Sequence, residues 1–144
     1  MSIRDLDYIF RPSSIALVGA SNRPKSVGAV LARNLMRAGF QGPIMPVNPK
    51  HRAIGGVLAW PSVADLPMVP DLGVVCTPAD AVPGVIAELR AKGAQAAVVI
   101  TAGCGEGGDS DGETRRQAML EASQRMRIIG PNVLGVLVPG AGLI

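Results

Sequence analysis

The stretch that decides the fold is residues 16–28, ALVGASNRPKSVG. It opens with the small and branched apolar residues of a buried strand, breaks at Gly19, and resumes at Val27 with a helical pattern. A strand, a short polar loop and a helix are the parts of a phosphate-binding turn. The loop has neither the Gly-x-Gly-x-x-Gly pattern nor a Walker sequence, so by itself it does not say what the turn holds.

Short apolar segments and longer amphipathic segments alternate along the rest of the chain. The pattern predicts an α/β fold, Rossmann-like and doubly wound, with a mainly parallel sheet of five to six strands and helices on both faces. Segment 57–67 is predicted to be irregular, and 102–112 to be a mobile loop rich in Gly and Asp. The predicted strands are 14–19, 43–49, 72–77, 96–101, 127–130 and, as a possible sixth, 135–139; the predicted helices are 3–10, 27–39, 81–93 and 113–126.

Composition limits the class of protein. A chain of 144 residues with 48% apolar and 17% charged residues is expected to fold as one domain with one core. No segment is apolar enough to predict a membrane span or a signal peptide, and Cys76 and Cys104 lack metal-ligand spacing, which favours a cytoplasmic protein. The sequence stops soon after the last predicted strand, from which we expect 1–144 to be the N-terminal domain of a longer multidomain protein.

Positive charge is concentrated in the first half of the chain. No acidic residue lies between Asp7 and Asp65, although the net charge is only +3. This asymmetry predicts an anionic partner, with an ordinary solvated basic surface as the alternative. Aromatic residues make up only 3% of the chain and no dense basic cluster occurs, which argues against nucleic acid. The basic residues of this interval are Arg11, Arg23, Lys25, Arg33, Arg37, Lys50 and Arg52.

Ligands of doubly wound sheets bind beyond the carboxyl ends of the strands. We expect Gly19, Ala20 and Ser21 to lie outside the sheet core, where backbone N–H groups and the next helix can meet a phosphate. A plain βα turn, with Gly19 needed only for its backbone angles, fits equally well. The small and polar residues at the predicted strand ends are Gly19, Ala20, Ser21, Asn22, Asn48, Pro49, Lys50, Thr77, Pro78, Thr101, Ala102, Gly103 and Asn132.

The end of the second strand discriminates between cofactors. NAD-binding domains place an acidic residue there to accept from the ribose hydroxyls. Here residues 48–52 read Asn-Pro-Lys-His-Arg, with cations in place of the acid. Cations attract a phosphate on the adenosine ribose, which predicts coenzyme A or NADP as the ligand.

Five segments carry a family resemblance: SIALVGAS (14–21), VGAVLARNLMRAGFQGPIMPVNPK (27–50), AWPSVADLP (59–67), PDLGVVCTPADAVPGVI (70–86) and MRIIGPNVLGVLVP (126–139). Together they resemble the CoA-binding domain of the NDP-forming acyl-CoA synthetase superfamily, which includes succinyl-CoA synthetase α-subunits and ADP-forming acetyl-CoA synthetases. The resemblance covers residues 3–143. Within the superfamily the chain is most similar to the N-terminal domain of bacterial protein lysine acetyltransferases that carry a fused GNAT domain.

The resemblance implies that this domain binds coenzyme A or acetyl-CoA and has no catalytic or metal-binding residue of its own. Chemistry would belong to further domains of the same polypeptide. The loop from Gly19 to Lys25, with Asn22 and Arg23, would meet the phosphates and adenosine, and Asn48–Lys50 the adenosine ribose and its phosphate. Thr77–Pro78 and Thr101–Gly103 would flank the adenine and pantetheine, and Asn132 would border the path of the thiol.

The chain also departs from the family pattern. Cys104 stands where the family usually has an aromatic residue, and Glu106-Gly107-Gly108 replaces a Thr or Glu-Thr-Gly motif, which puts in doubt any synthetase chemistry on this loop. An NADP-binding oxidoreductase domain and a regulatory domain with a degenerate pocket remain alternatives. Cys76 is predicted to be a core residue and Cys104 an incidental thiol. Trp60 is predicted to cover a sheet edge, with stacking on adenine as the alternative.

Overall fold

The computed structural model describes residues 5–140. Its strands are β1 (Ile15–Val18), β2 (Ile44–Val47), β3 (Ala53–Ile54), β4 (Val57–Leu58), β5 (Leu72–Val75), β6 (Ala96–Val99) and β7 (Arg127–Ile129). Its helices are α1 (Asp7–Phe10), α2 (Val27–Arg37), α3 (Val82–Lys92) and α4 (Ser110–Ser123), with a 3-10 turn at Ala79–Ala81. The first residues of the predicted helix 3–10 lie outside the described part of the chain.

Five strands form one parallel sheet in the order β2-β1-β5-β6-β7. Every residue of β1, β5 and β6 is buried, as expected for strands covered on both faces. One face packs against α1 and α2 through Ile9, Leu31 and Leu35, and the other against α3 and α4 through Ile86, Leu89 and Met119. The predicted Rossmann-like α/β fold is confirmed.

The helix boundaries follow from their caps. The side chain of Ser26 accepts a hydrogen bond from the Ala29 N–H (3.2 Å) and begins α2 as predicted. Gly93, with φ of 107°, ends α3. Helix α4 begins earlier than predicted because the Asp109 carboxylate accepts from the Gly112 N–H (2.9 Å), so part of the predicted mobile loop is helical.

Two local elements differ from the sequence reading. The segment predicted to be irregular contributes to an antiparallel hairpin, β3–β4, whose turn residues Gly55 and Gly56 both have positive φ. Residues 135–139 do not add a sixth strand to the sheet. Instead Val136 and Val138 pack on the face that α2 covers, and Gly135 lies beside Leu35. Within residues 5–140 the sheet therefore has five strands, the lower value of the predicted range.

The strand order fixes where a ligand can enter. From β1 the chain first moves outward to β2 and then returns to the other side of β1 to form β5. The loops that leave β1 and β5 consequently diverge, and a crevice opens between their carboxyl ends. Among the described residues, no helix is long and apolar enough to cross a membrane.

Candidate functional site

A cavity of about 700 Å³ occupies this crevice, at the carboxyl ends of β1, β2 and β5. A larger opening of about 990 Å³ lies at the amino ends of β6 and β7, near Arg90 and Arg125, which is the wrong edge for a ligand of a doubly wound sheet. We therefore take the crevice as the candidate site. Its lining consists of Val18, Gly19, Ala20, Ser21, Arg23, Ser26, Val27, Gly28, Val47, Asn48, Pro49, Lys50, Pro61, Ser62, Cys76, Thr77, Pro78, Ala81, Val85 and Glu88.

Two glycines bring α2 close to the end of β1. A Cβ on Gly19, whose φ is 96°, would lie 2.8 Å from the Cys76 carbonyl carbon. A Cβ on Gly28 would overlap the carbonyl oxygen of Gly19. Because neither glycine has a side chain, the first turn of α2 packs directly against the β1 end. The Ala29 N–H of that turn is capped by Ser26, but the N–H groups of Val27 and Gly28 have no partner inside the helix, so their partial positive charge is available at the cavity.

The loop between β1 and α2 is held by its own hydrogen bonds. The Arg23 N–H donates to the Ser21 hydroxyl oxygen (3.0 Å), and the Ser26 hydroxyl donates to the Arg23 carbonyl (2.7 Å). Ala20, however, is completely buried in the core beneath α2, so the expectation that it lies outside the core is wrong. The cause is the tight turn at Gly19, which directs the chain back under the helix.

The end of β2 is joined to the same loop by Asn48. Its side-chain amide donates to the Ala20 carbonyl (2.8 Å), and its Oδ1 accepts from the backbone N–H groups of Lys50 (2.7 Å) and His51 (2.9 Å). The Asn48 side chain therefore fixes the conformation of the site through these hydrogen bonds. The fixed turn leaves Lys50 exposed on the cavity lining, which also includes Arg23. Both residues add positive charge, and Glu88 on α3 adds negative charge to the lining.

The end of β5 forms the opposite wall. The Thr77 hydroxyl oxygen is buried and has no hydrogen-bond partner within residues 5–140. The Thr77 carbonyl, in contrast, accepts from the Thr101 hydroxyl (2.7 Å). Cys76 is half-buried beside it and its Sγ donates to the Val18 carbonyl (3.4 Å). Burial raises the pKa of the Cys76 thiol to about 12, which makes it a poor nucleophile at neutral pH.

Six of the predicted site residues lie outside the cavity lining: Asn22, Lys25, Thr101, Ala102, Gly103 and Asn132. The Asn22 side chain bonds instead to the hairpin, donating to the Ala53 carbonyl (2.9 Å) and accepting from the Gly55 N–H (3.0 Å). Lys25 is exposed, with φ of 63°.

The other four belong to the loops that follow β6 and β7. The Asn132 N–H donates to the Thr101 carbonyl (3.0 Å), and the Gly103 carbonyl accepts from the Arg115 guanidinium (3.1 Å). The same guanidinium pairs with Asp80 (2.6 Å). These contacts tie neighbouring loops to one another beside the cavity.

Several lining residues were not predicted from the sequence. Pro61 and Ser62 reach the cavity because the preceding Trp60 forms a parallel bridge with Val47, as predicted for a residue that covers the sheet edge. Val85 and Glu88 reach it from one face of α3, and their spacing of three residues is the signal that could have identified them.

Cys104 was predicted to lie in a mobile loop, but its side chain is buried. Cys104 is fully buried in the core between the sheet and α3–α4. Burial, with the Glu106 carboxylate as the second cause, raises the pKa of this thiol. An incidental, unreactive cysteine is what the geometry supports.

Comparison with known proteins assigns the family. Residues 13–139 match a family described as a CoA binding domain, and the chain belongs to that family. The chain is 38% identical to an ADP-forming acetate–CoA ligase II of Archaeoglobus fulgidus over 99% of its own length and 21% of the ligase. It is also 38% identical to the α-subunit of the corresponding Pyrococcus furiosus enzyme, of which it covers 30%. It therefore spans less than a third of either relative.

A solved structure shows the same fold. The acetyl-coenzyme A synthetase 1 of Candidatus Korarchaeum cryptofilum, solved with phosphate and ADP, superposes with a TM-score of 0.89 at 38% identity over 96% of this chain and 30% of that one. The chain is thus a CoA-binding domain of the kind found in ADP-forming acyl-CoA synthetases. Its cavity fits an anionic cofactor: it combines a helix amino terminus, two cations on the lining and a buried hydroxyl that lacks a partner.

Proposed function

We propose that the crevice between β1 and β5 binds coenzyme A or an acyl-CoA. The turn at Gly19–Ser21 and the first turn of α2 would receive the diphosphate through backbone N–H groups. Lys50 would meet the phosphate on the adenosine ribose. The observation on which the proposal depends is the position of Lys50, which lies on the cavity lining at the strand end where an NAD site has its acidic residue.

Within the crevice, Thr77 and Pro78 would flank the nucleotide or the pantetheine chain. The side chain of Asn48, and those of the loops after β6 and β7, would act by holding the walls in place. The residues proposed to contact the ligand are Gly19, Ala20, Ser21, Arg23, Pro49, Lys50, Thr77 and Pro78. The contribution of Ala20 would come from its backbone, because its side chain is buried.

We further propose that the domain serves a larger protein resembling an ADP-forming acyl-CoA synthetase. Identity of 38% to acetate–CoA ligases supports this role. The finer proposal, an N-terminal domain of a protein acetyltransferase fused to a GNAT domain, rests on the similarity of segments such as AWPSVADLP (59–67). In either protein the domain would hold the acyl-CoA and leave ligation or transfer to its neighbours, and the isolated chain would show no turnover.

Titration calorimetry with coenzyme A, 3′-dephospho-coenzyme A and NADP tests the ligand assignment. Coenzyme A should bind more tightly than its dephospho form by about 1.5–3 kcal/mol, the usual value of a charge-assisted phosphate contact. Lys50→Ala should remove most of this preference. Arg11→Ala changes the net charge equally at a residue outside the cavity lining and should leave the preference intact.

Equal affinity of the wild-type chain for the two coenzymes would contradict the role of Lys50. Tighter binding of NADP than of coenzyme A would favour the oxidoreductase alternative.

A further inference from the structure

Two arginines of the basic half are not used by the coenzyme site. Arg33 and Arg37 lie one helical turn apart on α2, are exposed, and line a second groove of about 340 Å³. This groove, which we call the α2–hairpin groove, runs between α2 and the β3–β4 turn. Neither arginine lines the coenzyme cavity.

The α2–hairpin groove has a fixed shape and an apolar floor. The two hydrogen bonds of Asn22 to Ala53 and Gly55 hold the hairpin against the loop that precedes α2. Gly55 adjoins α2, because a Cβ placed on it would be in ordinary van der Waals contact, 3.9 Å from the Met36 sulfur. The floor is formed by small or apolar side chains: Ala29, Ala32, Met36 and Ile54.

No ion pair neutralises the two arginines of the groove within residues 5–140. No acidic residue occurs between Asp7 and Asp65, and α2 itself has none. The side-chain ion pairs found over residues 5–140, Arg115–Asp80 and Arg116–Glu113, both involve α4 rather than α2. Two guanidinium groups that face solvent without a carboxylate favour an anionic partner from outside.

The hairpin side of the groove is apolar. Val57, which is 37% exposed, is the cross-strand partner of Ile54 and shares its face of the hairpin. An apolar strip next to paired cations matches an amphipathic partner better than a free phosphate, which has no apolar part. The groove is also a poor nucleic-acid surface, because it offers only two cations and no aromatic side chain.

We propose that the α2–hairpin groove docks an acidic amphipathic helix of a partner protein. Carboxylates at positions i and i+4 of such a helix have the same spacing as Arg33 and Arg37, and guanidinium–carboxylate pairs are well suited to that geometry. Leucine-like side chains of the partner would contact Met36 and Val57. The groove adjoins the coenzyme cavity, with which it shares Ser21, but neither arginine lines that cavity.

The test uses the full chain and a fluorescein-labelled helical peptide with glutamates four residues apart beside a stripe of leucines. Fluorescence anisotropy should show saturable binding that Arg33→Gln/Arg37→Gln weakens about tenfold, as expected for the loss of two exposed charge pairs. The matched pair Arg90→Gln/Arg125→Gln removes the same charge near the opposite sheet edge and should change affinity by less than about twofold. Circular dichroism and a coenzyme A titration check that both variants fold and keep the first site.

A version of the peptide with glutamine in place of glutamate should not bind. Equal weakening by the two arginine pairs, equal binding of the glutamine peptide, or no saturable binding to the wild-type chain would overturn the proposal. It would also be overturned if an oligonucleotide or ADP bound more tightly than the peptide and lost its binding only in Arg33→Gln/Arg37→Gln. Each of these results, with coenzyme A binding intact, would leave the proposed function standing.

Discussion

The two halves of the carboxyl edge of the sheet carry similar residues and have different structures. In the half above β1, β2 and β5, small polar residues surround an open cavity, and the buried Thr77 hydroxyl has no hydrogen-bond partner in the described part of the chain. In the half above β6 and β7, residues such as Thr101 and Asn132 bond to neighbouring loops. Gly, Ala, Thr, Pro and Asn occur at the strand ends of both halves.

The difference comes from topology rather than from residue type. Loops that leave β1 and β5 diverge because the chain turns in opposite directions there, whereas the loops after β5, β6 and β7 follow one another in order and can pack together. Small polar residues at a strand end are therefore not sufficient to indicate a ligand site. The chain reverses its direction across the sheet between β1 and β5, which we call the reversal point. Polar groups at strand ends next to this point remain free to bind a ligand.

The largest effect is expected where α2 meets β1. Gly28→Ala places a methyl group against the Gly19 carbonyl, which must displace the helix from the strand end. We expect a loss of about 2–3 kcal/mol in the free energy of unfolding, and loss of coenzyme A binding. Chemical denaturation and calorimetry measure the two effects.

The matched control is Gly84→Ala in α3, where a Cβ would have no neighbour within 4 Å. It should stabilise the chain by about 0.5–1 kcal/mol, the usual helix preference for alanine over glycine. If both variants had the same stability, close packing at Gly28 would not be what shapes the site.

A pair of threonine variants should separate the two halves. Thr101→Val removes the donor to the Thr77 carbonyl and should lower the free energy of unfolding by about 1–2 kcal/mol. Thr77→Val removes a hydroxyl that has no partner, so it should not lower stability, but it should weaken coenzyme A binding by about 1 kcal/mol if the ligand bonds to that hydroxyl. Thermal melts and coenzyme titrations of both variants are needed.

The opposite pattern, with Thr77→Val unstable and Thr101→Val impaired mainly in binding, would reverse the assignment of the two halves.

The smallest effect is expected at Lys25. It lies outside the cavity lining and is exposed, so it acts on the phosphates only through screened charge. Lys25→Ala should weaken coenzyme A binding by about 1 kcal/mol or less, and the loss should shrink as salt is added. A loss that persists at high salt would show direct contact and extend the site beyond the described lining.

Much of this fold follows from sequence patterns. The buried strands, the start of α2 at Val27 and the end of α3 near Gly93 were predicted because apolar runs and a glycine after a helix are strong local signals. The hairpin was missed although Gly55-Gly56 between apolar pairs is a typical two-residue turn. The absence of a sixth strand could not be predicted, because it depends on where Val136 and Val138 find a surface to pack against.

Fewer features of the site than of the fold could be predicted from the sequence. The resemblance and the cations after β2 indicated the ligand class, and the βα turn indicated one wall. Asn48 bonds to Ala20 and Thr101 bonds to Thr77, so these side chains join one strand end to another. Such bonds depend on the distances between loops, which cannot be read from sequence spacing. The burial of Ala20 depends in the same way on the direction of the chain after Gly19.

The most direct test of the central claim is an amide NMR titration of the wild-type chain with coenzyme A. The proposed site predicts that the largest shifts occur in residues 19–28, 48–50 and 76–78, around the crevice between β1 and β5. The amide signals of residues 101–103 and 132 should shift less, because these residues lie outside the cavity lining and would feel the ligand only through neighbouring loops. The largest shifts at the ends of β6 and β7, with the turn at Gly19 unaffected, would contradict the claim that the reversal point makes the coenzyme site.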